Sequence, residues 1–220
     1  MTSQVMTDNS LLESFLTFCH KRRYPARSQI VSPGDPADTL YYVVEGSLSI
    51  IYEDDAGKEI VLAYINQGEF MGEVGLFVPL ETRNVTVKTR SKSQLAEISY
   101  TRLHQVLDRE LATDKAAFLQ MMGSQLARRL LHAERKVSDL ALLDVTGRIA
   151  HALLDLSTHP DVITHPEGLQ VKATRTELAK ITGCSREMAG RCLKDLENKG
   201  LIKSVGQSIV VISLQNQRVE

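Results

Sequence analysis

Two short stretches of this 220-residue chain carry residue types that could do chemistry on phosphate. The first is Gly72-Glu73-Val74, followed by Arg83-Asn84. A glycine at position 72 lets backbone approach an anion closely. Successive backbone amides after Gly72, helped by a short helix start, can form an anion-binding nest. Glu73 offers a carboxylate for a sugar 2′-hydroxyl. Arg83 offers a planar fork that matches a phosphate, and Asn84 an amide donor. Gly-Glu alone is a weak signal, and a vestigial cassette that binds nothing is the competing reading.

The second stretch runs from Thr174 to Leu196. Thr174 is a good N-cap with Glu177 three residues on, a capping box. Leu178, Ala179 and Ile181 give that helix its apolar face, and Gly183 is placed to end it. Ser185 then opens a second helix whose Ala189, Leu193 and Leu196 face inward. A helix, a short glycine turn and a helix is the form that fits the DNA major groove. Arg186, Glu187 and Lys194 fall near one face of the second helix, with Arg191 close by. Arginine forks onto guanine O6 and N7, and glutamate accepts from the cytosine amino group. Arg175 and Ser185 are placed for phosphates. Between residues 169 and 203 eight basic residues face four acidic ones, although the whole chain has a net charge of -1. The expected partner is therefore double-stranded DNA, met by local rather than global positive charge.

Other chemistries find less support. The six histidines are scattered, no Ser/His/Asp or Cys/His arrangement has motif context, and no third ligand joins His159 and His165 at metal-site spacing. The expectation is no enzyme and no metal. Cys19, Cys184 and Cys192 are too few and too unevenly spaced for a disulfide framework, which points to a reducing cytoplasm. Cys184, beside a helix start, reads as a small turn residue rather than a reactive thiol. No apolar run reaches about 18 residues, and no signal pattern opens the chain, so no membrane partner is expected.

Three regions position these stretches. Residues 1–112 read as strands: Val43-Val44, Ser47–Tyr52 and Ile60–Ile65 are rich in β-branched and aromatic residues, with a hairpin turning at Gly57. Many short strands at this spacing point to an antiparallel roll or barrel. Residues 113–142 read as one long helix. Its Ala116, Leu119, Gly123, Leu126, Leu130, Ala133, Val137 and Leu140 follow alternating steps of three and four, the seam of a two-stranded coiled coil. Phe118 and Met122 add a second stripe, so the helix could face a partner and its own domain. Residues 143–220 hold a helix over Thr146–Leu156, breakers at His159-Pro160 and at His165–Gly168, the two-helix motif, and a β-branched run at Ile209–Ile212 after Gly206. The strand pair after Gly200 would form the wing of a winged helix.

Gly68–Phe77, Leu143–Ile149, Thr164–Pro166 and Gly183–Met188 together resemble the catabolite activator (cyclic-AMP receptor protein) family, from about Leu12 to Ile212. The resemblance implies an α+β chain with an N-terminal cyclic-nucleotide-binding β-roll, a dimerisation helix and a C-terminal winged helix-turn-helix. It implies an effector-gated, DNA-binding homodimer that works with RNA polymerase. Glu73 and Arg83 would hold the ribose and cyclic phosphate, with Gly72 and Val74 supplying backbone. Glu53-Asp54-Asp55 by itself reads as a solvated hairpin tip; the resemblance implies instead that it, His20 with Arg22, and the Thr164–Gly168 loop could touch RNA polymerase. The chain departs from the cyclic-AMP pattern at Asn84, where serine is usual. It departs again at Ala133 and Glu134, where two hydroxyl residues meet adenine. Cyclic AMP is the favoured effector and cyclic di-GMP the alternative. A constitutive regulator with a dead pocket and, behind it, a nucleotide-regulated enzyme subunit are further alternatives.

Overall fold

The computed structural model describes residues 10–160, 162–206 and 208–212. These sort into two compact units. The first holds the residues up to Ala56 and Leu62–Leu131; the second holds Gly57–Val61 and everything from His132 onward.

In the first unit, helix α1 (residues 10–16) precedes β1 (His20–Tyr24), β2 (Gln29–Val31), β3 (Thr39–Glu45), β4 (Ser47–Glu53), β5 (Glu59–Asn66, of which Leu62–Asn66 belong to this unit) and β6 (Phe70–Met71). A single helical turn, α2 (Val74–Phe77), leads to β7 (Thr86–Thr89), β8 (Ser93–Ser99) and α3 (Tyr100–Asp108). Two four-stranded sheets result, ordered β1-β8-β3-β6 and β2-β7-β4-β5. The pairings resolved within them are antiparallel, the arrangement expected of a roll. Leu48, Val43, Ile65 and Leu95 are fully buried, as alternation along half-buried strands requires. β1 has no such alternation: His20, Lys21, Arg22 and Arg23 are all exposed. Its backbone pairing with β8, from His20 opposite Glu97 to Tyr24 opposite Ser93, makes it a strand.

Helix α4 (Lys115–Leu142) is unbroken over 28 residues, about 42 Å at 1.5 Å per residue. Its stripe of Phe118, Met122 and Gln125 is buried. Phe118 stands 4.9 Å from the Phe15 ring and 5.7 Å from Phe70. On the other stripe Leu119, Leu130, Val137 and Leu140 remain exposed in the single chain. The helix thus presents both faces expected of it, one occupied and one free.

In the second unit α5 (Val145–Leu156) packs against α6 (Arg175–Thr182) and α7 (Arg186–Asn198). Ile149, Leu153, Leu178, Ala189 and Leu196 form their shared interior. Asp144 caps α5 by accepting from the Gly147 amide at 2.7 Å. The sheet here has four strands, β11 (Ile202–Val205), β12 (Ser208–Val211), β10 (Gly168–Val171) and β9 (Ile163–His165). The sequence pattern leads one to expect only the strand pair after Gly200, with residues 165–168 as a break. Gly168 accounts for the difference. Its φ is +153°, and a Cβ there would lie 2.1 Å from the Val211 carbonyl, so its lack of a side chain lets β10 come up against β12.

Candidate functional site

Strand β6 delivers the chain to Gly72, whose φ is +90°. A Cβ at that position would sit 2.6 Å from the Thr39 carbonyl and 3.1 Å from Arg83 Nη2. Only glycine lets the Arg83 guanidinium lie against this turn. Arg83 Nη2 donates to the Thr39 carbonyl at 2.6 Å and to Tyr100 Oη at 3.3 Å. Tyr100 Oη in turn donates to the Gly72 carbonyl at 2.5 Å. Burial pushes the Tyr100 phenol above its ordinary value, with Arg83 opposing. The hydroxyl therefore stays protonated through neutral pH and keeps donating. Arg83 is held from three sides before any ligand arrives, which lowers the ordering cost of binding.

Glu73 is 1% exposed. Its Oε1 accepts from Arg129 Nη1 of α4, and Arg129 Nη2 donates to the Phe70 carbonyl. Glu73 Oε2 and Arg129 Nε are buried without a hydrogen-bond partner. A buried polar atom left so costs about 1–3 kcal/mol, a cost that a bound donor would remove. These groups line a cavity of about 220 Å³. Glu73, Arg83, Asn84 and Arg129 bring polar side chains to its lining, Gly72 only backbone, and Val31, Ile50, Val74, Leu80, Val85 and Val87 bring apolar side chains. The five residues singled out from sequence thus meet at one cavity. Ala133 and Glu134 are exposed, and the cavity lining on α4 stops at Arg129.

Sequence reasoning missed Arg129, Tyr100 and Thr39. A signal for Arg129 was present. Phe118, Met122, Gln125 and Arg129 follow steps of four, three and four, so two polar residues extend the inward-facing apolar stripe.

The helix-turn-helix forms as expected. Thr174 Oγ1 accepts from the Glu177 amide at 3.1 Å, and Ser185 Oγ accepts from the Met188 amide at 3.1 Å. Gly183 ends α6 in the left-handed region at φ +68°. Cys184 is half-buried, with its sulfur 3.3 Å from the Thr182 hydroxyl. Arg175, Ser185, Arg186, Glu187, Arg191 and Lys194 lie at the surface of this unit. All but Ser185 line one open groove of about 600 Å³, together with Gly190, Glu197 and Ser204. Four cations around an exposed helix face form an anion-seeking surface.

Family models match both halves: a cyclic nucleotide-binding domain over residues 21–110, and a Crp-like helix-turn-helix domain over residues 147–216. The CRP-like protein Clp of Xanthomonas campestris pv. campestris (strain B100) is 49% identical over 210 residues, 96% of this chain and 91% of that protein. The chain belongs to the CRP family of transcription regulators. Among solved structures, the c-di-GMP responsive global regulator CLP of Xanthomonas campestris matches with a TM-score of 0.87 at 49% identity, covering 93% of this chain and 99% of that one. A CRP/FNR-family regulator from Thermus thermophilus matches with a TM-score of 0.74 at 27% identity, covering 90% of this chain and 95% of that one. The protein is accordingly an effector-gated, DNA-binding regulator of α+β fold, and regulators of this family bind DNA and form dimers. Among the described residues, no helix is long and apolar enough to cross a membrane, and no group of three His, Cys, Asp or Glu side chains could hold a metal ion.

Proposed function

We propose that a cyclic nucleotide binds the cavity beside Gly72 and gates DNA binding by α7. The observation that carries this reading is the pairing of a pre-held Arg83 with a buried, half-satisfied Glu73 in one cavity. A cyclic phosphate would take the Arg83 fork and the amides after Gly72, with Asn84 at its edge. A ribose hydroxyl would donate to Glu73. Val31, Ile50, Leu80 and Val87 would receive the base by apolar contact.

Cyclic AMP is the favoured effector. Pockets for drug-sized ligands span about 300–1,000 Å³. The cavity of about 220 Å³ is open at its mouth, so either nucleotide would extend beyond it; what favours the mononucleotide is one guanidinium fork at Arg83 and one free carboxylate oxygen at Glu73, a match for one phosphate and one ribose. Cyclic di-GMP is the second reading, favoured by the c-di-GMP responsive regulator that shares 49% identity. It would have to bind across the mouth of the cavity. Calorimetry with cyclic AMP, cyclic GMP and cyclic di-GMP tests both. Saturable binding lost in Arg83→Leu supports the pocket, and no binding of any of them at millimolar concentration defeats it.

On DNA, Arg186 and Glu187 would read base edges, while Arg175, Ser185, Arg191 and Lys194 would hold the backbone. The exposed heptad of α4 would form the homodimer seam, with the three-part division at residues 112 and 142 as the functional one. The Glu53–Asp55 tip, His20 with Arg22, and the Thr164–Gly168 hairpin would meet RNA polymerase. The chain would act in the cytoplasm, carry no catalysis and need no metal. The three free cysteines are compatible with that compartment.

A further inference from the structure

Gln125 is 3% exposed and lies one helical turn before Arg129 on the inward face of α4. Its Oε1 accepts from the Phe70 amide at 2.7 Å, and its Nε2 donates to the Phe70 carbonyl at 2.9 Å. One residue exchanging both backbone bonds with a partner is the pattern a neighbouring strand makes in an antiparallel ladder. β6 is two residues long, lies at the edge of its sheet, and has β3 as its neighbour, with Tyr42 opposite Phe70 and Tyr41 opposite Met71. The Gln125 side chain therefore stands where another strand would be. Arg129 adds a second donor to the same carbonyl and then reaches Glu73. Between them, these two side chains tie α4 to Phe70–Glu73, the segment that enters the cavity.

The two ties differ in kind. The Gln125 amide is satisfied at both ends by one residue's backbone, so rotation or sliding of α4 breaks both bonds together. Arg129 is longer, its Nε has no partner, and it shares a carboxylate whose other oxygen has no partner either. Gln125 is a fixed point and Arg129 an adjustable one. A ligand hydroxyl donating to Glu73 Oε2 would pull on the carboxylate that Arg129 holds through Oε1, while Gln125 keeps strand and helix in register. With an apolar residue at 125 the strand could shift alone, and the event at Glu73 would stay local.

We propose that Gln125 is a positioning residue that makes the cavity segment and α4 move as one body, so that effector occupancy reaches the DNA-binding half. This rests on the reading of the cavity as a cyclic-nucleotide site. The test uses full-length Gln125→Met and Gln125→Glu. The first keeps side-chain length and removes both bonds. The second keeps an acceptor for the Phe70 amide, sets an oxygen against the Phe70 carbonyl, and brings a rival carboxylate within one turn of Arg129. Cyclic AMP and cyclic di-GMP are titrated by calorimetry. Affinity for one duplex, selected from a random pool by the wild type, is measured with and without saturating nucleotide.

Both variants should bind nucleotide, while the ratio of the two DNA affinities falls from at least about fivefold toward one. By reciprocity the effect of DNA on nucleotide affinity should shrink by the same factor. A merely structural role would lower thermal stability and leave the ratio intact, and that result overturns the inference. If Gln125→Met does not fold, Gln125→Glu carries the test, since it retains one of the two bonds. Nucleotide binding to wild type with an unchanged ratio in the variants overturns this inference alone. Absence of nucleotide binding to wild type overturns the pocket reading and this inference with it.

Discussion

Replacing Arg83 with leucine removes one positive charge from the cavity and three contacts from its frame. The guanidinium spans the Thr39 carbonyl at 2.6 Å and Tyr100 Oη at 3.3 Å, and packs against Gly72. Two separable losses follow. A charge-assisted hydrogen bond contributes about 1.5–3 kcal/mol, which is about one to two decades of affinity for an anionic ligand. The Thr39 carbonyl also loses its donor, at a cost of up to about 1–3 kcal/mol if water does not replace it. For a chain of this size each kcal/mol lowers the melting midpoint by about 2–4 °C. Arg83→Lys separates the two, because lysine keeps the charge and loses the fork. Calorimetry on cyclic AMP and a thermal melt read both. The expected order of affinity is wild type, then Arg83→Lys, then Arg83→Leu, with DNA affinity in the absence of nucleotide preserved. An Arg83→Leu protein that bound cyclic AMP as tightly as wild type would refute the assignment of Arg83 to the phosphate.

Arg186→Ala should weaken binding to the selected duplex by about 1–3 kcal/mol and relax preference at one base pair, whereas Lys194→Ala should weaken all sequences alike and reduce the salt slope by about one. Equal losses for Arg186→Ala on specific and random DNA would remove it from the base-reading role. Leu126→Lys should place like charges across an apolar seam and yield monomers in sedimentation at micromolar protein. A dimer of undiminished DNA affinity would put the seam elsewhere. Ser185→Ala deletes the cap that receives the Met188 amide and should destabilise the second unit by about 0.5–2 kcal/mol in a thermal melt. Because burial raises the Tyr100 pKa, its hydroxyl should donate to the Gly72 carbonyl across pH 7 to about 9, and nucleotide affinity should show no step there from tyrosine ionisation. A step that disappears in Tyr100→Phe would contradict this.

The parts legible from sequence are those whose causes are local. Thr174, Gly183 and Ser185 act on backbone groups within three or four residues of themselves, so residue type and spacing were enough to place both helices and the turn. The long helix was equally legible, since its period repeats for 28 residues. β1 was not, because His-Lys-Arg-Arg-Tyr carries no apolar alternation and becomes a strand only through pairing with β8, whose partner residues lie far along the chain. The cavity was half legible. Gly72, Glu73 and Arg83 announce themselves by type, but the ion pair that occupies Glu73 joins residues 56 apart. Arg129 stands beside Arg128 on a helix that also carries Arg135. Nothing local distinguishes it from Arg128 except that it continues the stripe of Phe118, Met122 and Gln125. Thr39 contributes a backbone carbonyl, which any residue could supply, so its type holds no information about that role.

Gating is the central claim, and linkage tests it most directly. Full-length wild-type protein is titrated onto the selected duplex at fixed salt, with no nucleotide, with saturating cyclic AMP and with saturating cyclic di-GMP. A nucleotide that binds the two states of the protein unequally must change DNA affinity, by about 5–150-fold for a typical coupling of 1–3 kcal/mol, and DNA must change that nucleotide's affinity by the same factor. The account predicts such a reciprocal change for cyclic AMP, abolished in Arg83→Leu. Superimposable titration curves under all three conditions would contradict it.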